Sequence, residues 1–124
     1  MHTVTGRCHC GAVEFEVDLD HEIDSQHVRR CNCSLCRRKG ALMSGAPKER
    51  LRVTKGADML SVYQWNTNIA EHYFCKNCGI YTHHFRRSDP TQCGFNVACI
   101  EGIDSLSFGE VDVFDGASLS LEEA

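Results

Sequence analysis

Seven of the nine cysteines of this chain fall in three tight clusters, and their spacing constrains the fold more than any other feature. Cys8-His9-Cys10-Gly11 is a CxC, Cys31-Asn32-Cys33-Ser34-Leu35-Cys36 is a CxCxxC, and Cys75-Lys76-Asn77-Cys78-Gly79 is a CxxCG. Thiols two or three residues apart suit chelation of one metal ion. Disulfides normally join distant positions with defined Cα separations. Two closed tetrahedral zinc sites would use eight thiolates. Seven predict one closed site and one with three protein ligands and an open fourth position, where ligand exchange or chemistry can occur. A redox reading of Cys75 and Cys78 would leave the other two clusters unexplained.

At 124 residues the chain is expected to form one domain over 1–124, with a modest core. No apolar run approaches the ~20 residues that span a bilayer. Met1 to Arg7 lacks the apolar stretch of a secretion signal. The expectation is a soluble, cytoplasmic protein, where many cysteines favour metal binding over disulfides. The formal charge is −4, and seven thiolates with two Zn²⁺ would take it to −7. Such an acidic domain argues against general nucleic-acid binding, which rests on phosphate contacts. The sequence leaves the oligomeric state open.

The patterning predicts a mainly β fold with few short helices. Val13, Phe15, Val17 and Leu19 alternate with acidic residues, the mark of a half-buried strand. Leu51–Val53 and Leu60–Trp65 read as strands around a Lys55-Gly56 turn. Ile69–Phe74 and Ile80–Phe85 read as a hairpin with Cys75 and Cys78 at its tip, a zinc knuckle. Gly79 and Gly11 each follow a cysteine where a tight turn often needs positive φ. Cys93–Cys99 and Ser105–Phe114 are further strand candidates, and Ser34–Lys39 is the best helix. Tyr63, Trp65 and Phe74 read as core.

Cys8, Cys10, Cys75 and Cys78 form the candidate closed site. Its two pairs are far apart in sequence, so a metal there would cross-link the first strand to the central hairpin, a structural role. Cys31, Cys33 and Cys36 form the candidate open site, gripping one ion from a single turn entering a short helix. Cys99, Cys93, His27, His83 and His84 are the alternatives for a fourth protein ligand. Basic residues flank this cluster: Arg29-Arg30 before it and Arg37-Arg38-Lys39 after it. They read either as charge compensation for an anionic Zn(Cys)₃ centre or as recognition of an anionic ligand, for which guanidinium suits carboxylate.

The order and spacing of Gly6-Arg7-Cys8-His9-Cys10-Gly11-Ala12-Val13, the CxCxxC with Arg37, Phe74-Cys75-Lys76-Asn77-Cys78-Gly79 and Asn96-Val97-Ala98-Cys99-Ile100-Glu101-Gly102-Ile103-Asp104 resemble the glutathione-dependent formaldehyde-activating enzyme family, which includes the centromere protein V type. The resemblance covers about residues 6–116, ending near Phe114-Asp115-Gly116. It implies a β-tent fold of zinc-linked, small antiparallel sheets with zinc knuckles. It implies a structural zinc on Cys8, Cys10, Cys75 and Cys78 and a catalytic zinc on Cys31, Cys33 and Cys36, two ions in all. The implied activity is carbon–sulfur lyase-type: addition of a small thiol, glutathione in the namesake, to formaldehyde, giving S-hydroxymethylglutathione. Arg37 and Arg38 are the candidate substrate-binding residues. The chain is compact beside the namesake enzyme. Two other function classes stay open from the residues alone: a non-catalytic zinc module that binds a protein or nucleic-acid partner through its basic residues, and a zinc-buffering or redox-sensing role for the three-cysteine cluster.

Overall fold

The computed structural model of the protein describes residues 1–65, 69–86 and 89–118. It is mainly β, as the patterning predicts. Among the described residues ten strands form two sheets, accompanied by one six-residue α-helix and four single 3₁₀ turns.

The smaller sheet holds β1 (His2–Arg7), β2 (Glu14–Leu19) and β5 (Leu51–Lys55) in the order β1-β2-β5, all antiparallel. In β2 the expected alternation holds: Phe15, Val17 and Leu19 are buried while Glu14, Glu16 and Asp18 lie at the margin. The larger sheet runs β10-β3-β4-β9-β8-β7-β6. Its members are β3 (Arg29–Cys31), β4 (Met43–Pro47), β6 (Leu60–Tyr63), β7 (Glu71–Cys75), β8 (Tyr81–Phe85), β9 (Gln92–Asn96) and β10 (Asp112–Phe114). Every pairing in it is antiparallel except β10 on β3, which is parallel.

The core lies between the sheets. Phe15, Val17 and Leu19 from β2 meet Ala46, Cys93, Phe95, Val97 and Ile100, all nearly inaccessible to solvent. Burying such side chains contributes about 1.5–3 kcal/mol each, which makes this interface the main apolar support of the fold.

The helix α1 covers Ser34–Lys39, as the sequence predicts. It starts because Cys33, in extended backbone conformation, accepts a hydrogen bond on its sulfur from the Cys36 N–H at 3.2 Å, an N-cap geometry. It stops at Gly40, which takes the left-handed conformation with φ of 65°.

The strands on either side of Lys55-Gly56 fall in different sheets: β5 pairs with β2, and β6 pairs with β7. The Gly56 turn is therefore a crossing point between sheets. Three expectations change. The Ser105–Phe114 strand shrinks to Asp112–Phe114, because a turn occupies the residues before it. The Cys93–Cys99 strand ends at Asn96, whose side chain accepts from the Ala98 N–H and starts a 3₁₀ turn over Val97–Cys99. Tyr63 is 49% exposed rather than core, because β6 is an edge strand.

Candidate metal and active centre

The four sulfurs of Cys8, Cys10, Cys75 and Cys78 all lie within 4.8 Å of one another. Cys10 Sγ is 3.7 Å from both Cys8 Sγ and Cys75 Sγ. A tetrahedron with Zn–S bonds of ~2.3 Å has S···S edges of about 3.8 Å, so the donor set has the size and chemistry for zinc.

Two turns set this geometry. In the β1–β2 turn, the Cys8 N–H donates to Val13 O and the Gly11 N–H to Cys8 O, while the Val13 N–H donates to the Cys8 sulfur at 3.3 Å. In the β7–β8 turn, the Gly79 N–H donates to Cys75 O at 2.8 Å and the Cys75 N–H to Ile80 O. Gly79 has φ of 79° with open space around its Cα. Its requirement is thus the left-handed backbone and not room. Cys8 and Cys75 are buried with Val13 under Met59 and Leu60, whereas Cys10 is exposed. The Asn77 side chain, then the Ala12 backbone, hydrogen-bond to the Cys10 sulfur and pull its thiol down to about 6. This cluster joins β1 of the small sheet to β7 of the large one.

Cys31, Cys33 and Cys36 form the second group, with sulfurs within 4.8 Å of one another. Cys31 ends β3, Cys33 caps α1 and Cys36 sits in its first turn. Burial pushes the Cys31 and Cys36 thiols up, and the Lys39 charge partly opposes this at Cys36. Three thiolates in this place therefore require further positive charge, which a divalent metal supplies.

None of the five sequence candidates for a fourth ligand joins this group. The Cys99 thiol points at Tyr81 O, 3.6 Å away, and feels Cys8 and Cys78 of the other cluster. Cys93 is core, with Pro47 O as its polar neighbour. His27 pairs with Asp24 at 2.7 Å and stacks on His21. His83 is buried against Tyr73 and Thr82 Oγ1. His84 pairs with the Tyr81 hydroxyl.

The flanking basic residues make different contacts. Arg29 lies over the Phe114 ring, Arg30 donates to Gly40 O, and Arg38 donates to Ser34 O. Arg37 and Arg38 are exposed on α1. Lys39 turns the other way. Its Nζ lies 3.3 Å from His72 Nδ1 and 3.7 Å from the centre of the Tyr81 ring. His72 in turn stacks on His84, its cross-strand partner.

The three-cysteine turn also carries a clasp. The Asn32 side chain donates to Asp115 Oδ1 and accepts from the Ala117 N–H, and the Asn32 N–H donates to Phe114 O. Gly116 is thereby pressed onto the cysteines: a Cβ there would lie 2.7 Å from Cys31 Sγ and 2.9 Å from Cys33 Cβ. Close approach is what excludes a side chain here. Beside β10 a cleft of about 460 Å³ opens, with His27, Arg29, Met43, Ser44 and Phe114 in its walls. Phe114 is the register partner of Cys31.

Sequence reasoning placed Lys39 in the basic run beside the cluster but missed its neighbours His72 and Tyr81, and the Asn32 clasp. Only the end of the family resemblance, at Phe114-Asp115-Gly116, pointed to the last.

Comparison with known proteins agrees with this architecture. Residues 3–112 match the profile of the family described as Glutathione-dependent formaldehyde-activating enzyme. The chain belongs to that family. It resembles a Penicillium rubens protein provisionally named as a glutathione-dependent formaldehyde-activating enzyme, at 35% identity over 94% of this chain and 62% of that one. A Halomonas elongata protein with the same provisional name is 35% identical over 59% of this chain and 50% of its own length. The chain thus spans about half to two thirds of these curated relatives. A Rhodobacter sphaeroides protein of known crystal structure superposes with a TM-score of 0.83 at 50% identity, covering 89% of this chain and 99% of that one.

Proposed function

We propose that the protein is a zinc-dependent carbon–sulfur lyase-type enzyme that adds a small thiol of the glutathione class to an aldehyde such as formaldehyde. One ion would sit on Cys8, Cys10, Cys75 and Cys78 as a structural bolt, and a second on Cys31, Cys33 and Cys36 as the reaction centre. The observation that carries this reading is the contrast in donor sets: four thiols in one group, three in the other, with no fourth His, Cys, Asp or Glu ligand joining the three among the described residues. The family membership supports the substrate class.

When bound, zinc at the three-cysteine turn supplies an electrophilic position that favours thiolate over thiol in an incoming substrate. The chain's own residues do the rest. Cys33 and Cys36 are fixed by the start of α1, so the donor triangle is held before any ligand arrives. Gly116 closes one side against Cys31 and limits water there. The cleft beside Phe114, with both Arg29 and Asp112 in its walls, offers room next to the cysteine turn for part of a glutathione-like thiol, and Arg29 is a candidate contact for its carboxylates. Exposed Arg37 and Arg38 are secondary candidates for that contact. The partner-binding alternative is weaker, because Arg30, Arg38 and Lys39 engage the protein's own groups.

Cobalt-substituted protein, titrated with glutathione, tests the reading. A change in the cobalt spectrum that saturates at millimolar thiol and disappears in Cys36→Ala is expected. A spectrum indifferent to glutathione removes the thiol from this site.

A further inference from the structure

Lys39 is the chemically active side chain that the reading above leaves without a task. It lies on the same face of α1 as Cys36, three residues earlier, and helical side chains lean toward the N-terminus, over the turn that carries the cysteines. The thiols of Cys36, Cys33 and Cys31 all act on its charge. Among the described residues no carboxylate forms an ion pair with it.

Burial lowers the Lys39 pKa from the usual lysine value and the three thiols oppose that shift, while two contacts suit its charged form. The Tyr81 ring presents its face to Nζ at 3.7 Å, the arrangement of a cation–π contact. His72 accepts one N–H at Nδ1, which fixes that imidazole as the neutral tautomer with its proton on Nε2. Burial also keeps His72 low, at about 4, and keeps His84 neutral behind it. The wall of β7 and β8 therefore uses one ammonium hydrogen and leaves two others. Of the groups acting on the Lys39 charge, the thiols of the three-cysteine turn are the ones that favour it.

We propose that Lys39 is a catalytic residue of this centre: its ammonium group donates hydrogen bonds to the aldehyde oxygen as negative charge develops there. The inference rests on the proposed thiol–aldehyde reaction. In that step the sulfur electron pair forms the S–C bond and the carbonyl π pair moves onto oxygen. Lys39 covers that oxygen without itself losing a proton. The proton released when the thiol ionises returns to the oxygen, so thiol plus aldehyde give the hydroxymethyl thioether with no net change. A three-thiolate centre polarises a carbonyl weakly, and an oxyanion donor is the element such a centre lacks. His72 and Tyr81 are positioning residues for it.

The test uses the full chain loaded with zinc, as wild type, Lys39→Met and Lys39→Arg. Methionine keeps an apolar stem of similar length against Tyr81. Exchange between free and thiol-bound formaldehyde is followed by NMR with glutathione present, against the protein-free rate. Thiol affinity is measured separately on the cobalt-substituted proteins without aldehyde. Loss of one oxyanion donor typically costs about 10²–10³ in rate. Lys39→Met should lose about 100-fold in protein-catalysed exchange while its glutathione affinity stays within about threefold of wild type, and Lys39→Arg should recover part of the loss. Exchange in Lys39→Met within about threefold of wild type overturns the proposal. So does a parallel loss of rate and thiol affinity, which marks a binding or structural role. A wild type no faster than buffer refutes the thiol–aldehyde reading itself and the Lys39 role with it, and it does so before any variant is made.

Discussion

The two cysteine clusters offer the same donor chemistry and differ in how far along the chain their sulfurs come. In the four-cysteine cluster Cys10 and Cys75 are 65 residues apart yet 3.7 Å from each other. In the three-cysteine cluster every ligand falls between Cys31 and Cys36. Closing the longer loop costs the unfolded chain about 2 kcal/mol more by loop entropy alone, and that cluster also ties the two sheets together. Its environment is turn backbone and apolar cover. The local cluster ties together residues that β3 and α1 already hold close, and its environment is Lys39, His72 and Tyr81 on one side and the Gly116 clasp on the other. Under the proposed function one cluster is closed and the other is approached.

The sharpest way to break this contrast is to remove one thiol from each. Structural zinc in small peptides is worth roughly 10–16 kcal/mol of apparent binding free energy, against a typical domain stability of ~5–15 kcal/mol. Cys78→Ala is therefore expected to unfold most of the chain, visible as loss of the β signal in circular dichroism. Cys36→Ala should remain folded, with a cost of about 1–3 kcal/mol and one zinc fewer by elemental analysis. Equal folding of both variants would erase the distinction. A smaller effect is expected at the clasp. Gly116→Val must displace the segment from Cys31 and Cys33, and disturbance of groups packed around a ligand set typically lowers metal affinity 10–100-fold. Chelator competition should show that loss at the three-cysteine site alone. Loss at both sites would mean that the clasp supports the whole fold.

The last prediction concerns His83, which is distant in role from either cluster. Burial against Tyr73 and Phe15 lowers it to about 4. The unfolded chain then takes up a proton below pH ~6.5 and the folded one does not until about 4. Stability is thus intact above that window and falls as pH drops through it, by up to ~1.4 kcal/mol per pH unit. In His83→Gln this part of the slope disappears, so the stability gap to wild type should narrow as pH falls from 6.5 to 4. A gap that stays constant contradicts the buried neutral imidazole.

What the sequence discloses follows from where its signals are local. Cys8 with Cys10, and Cys75 with Cys78, declare themselves because each pair is a chelating unit in adjacent residues. The β2 alternation and the Ser34–Lys39 helix are equally local. The strand β4 is not legible, because Met43-Ser44-Gly45-Ala46-Pro47 has almost no β-propensity and is a strand only because β3 and β9 flank it. Nor is Lys39. In the run Arg37-Arg38-Lys39 it reads as one more exposed charge, and only the wall formed by His72 and Tyr81, more than thirty residues later, withdraws it from its neighbours. The parallel contact of β10 with β3 is a tertiary event of the same kind. The chelating groups are readable from spacing; the surroundings that distinguish the two clusters are not.

The most direct measurement is stepwise removal of metal from the zinc-loaded protein by a chelator, with zinc content and β structure followed together. One zinc should leave first with the circular dichroism unchanged, and the second should leave only as the fold is lost. Release of both ions in a single step, or unfolding with the first, would contradict the division into a structural and a reactive centre.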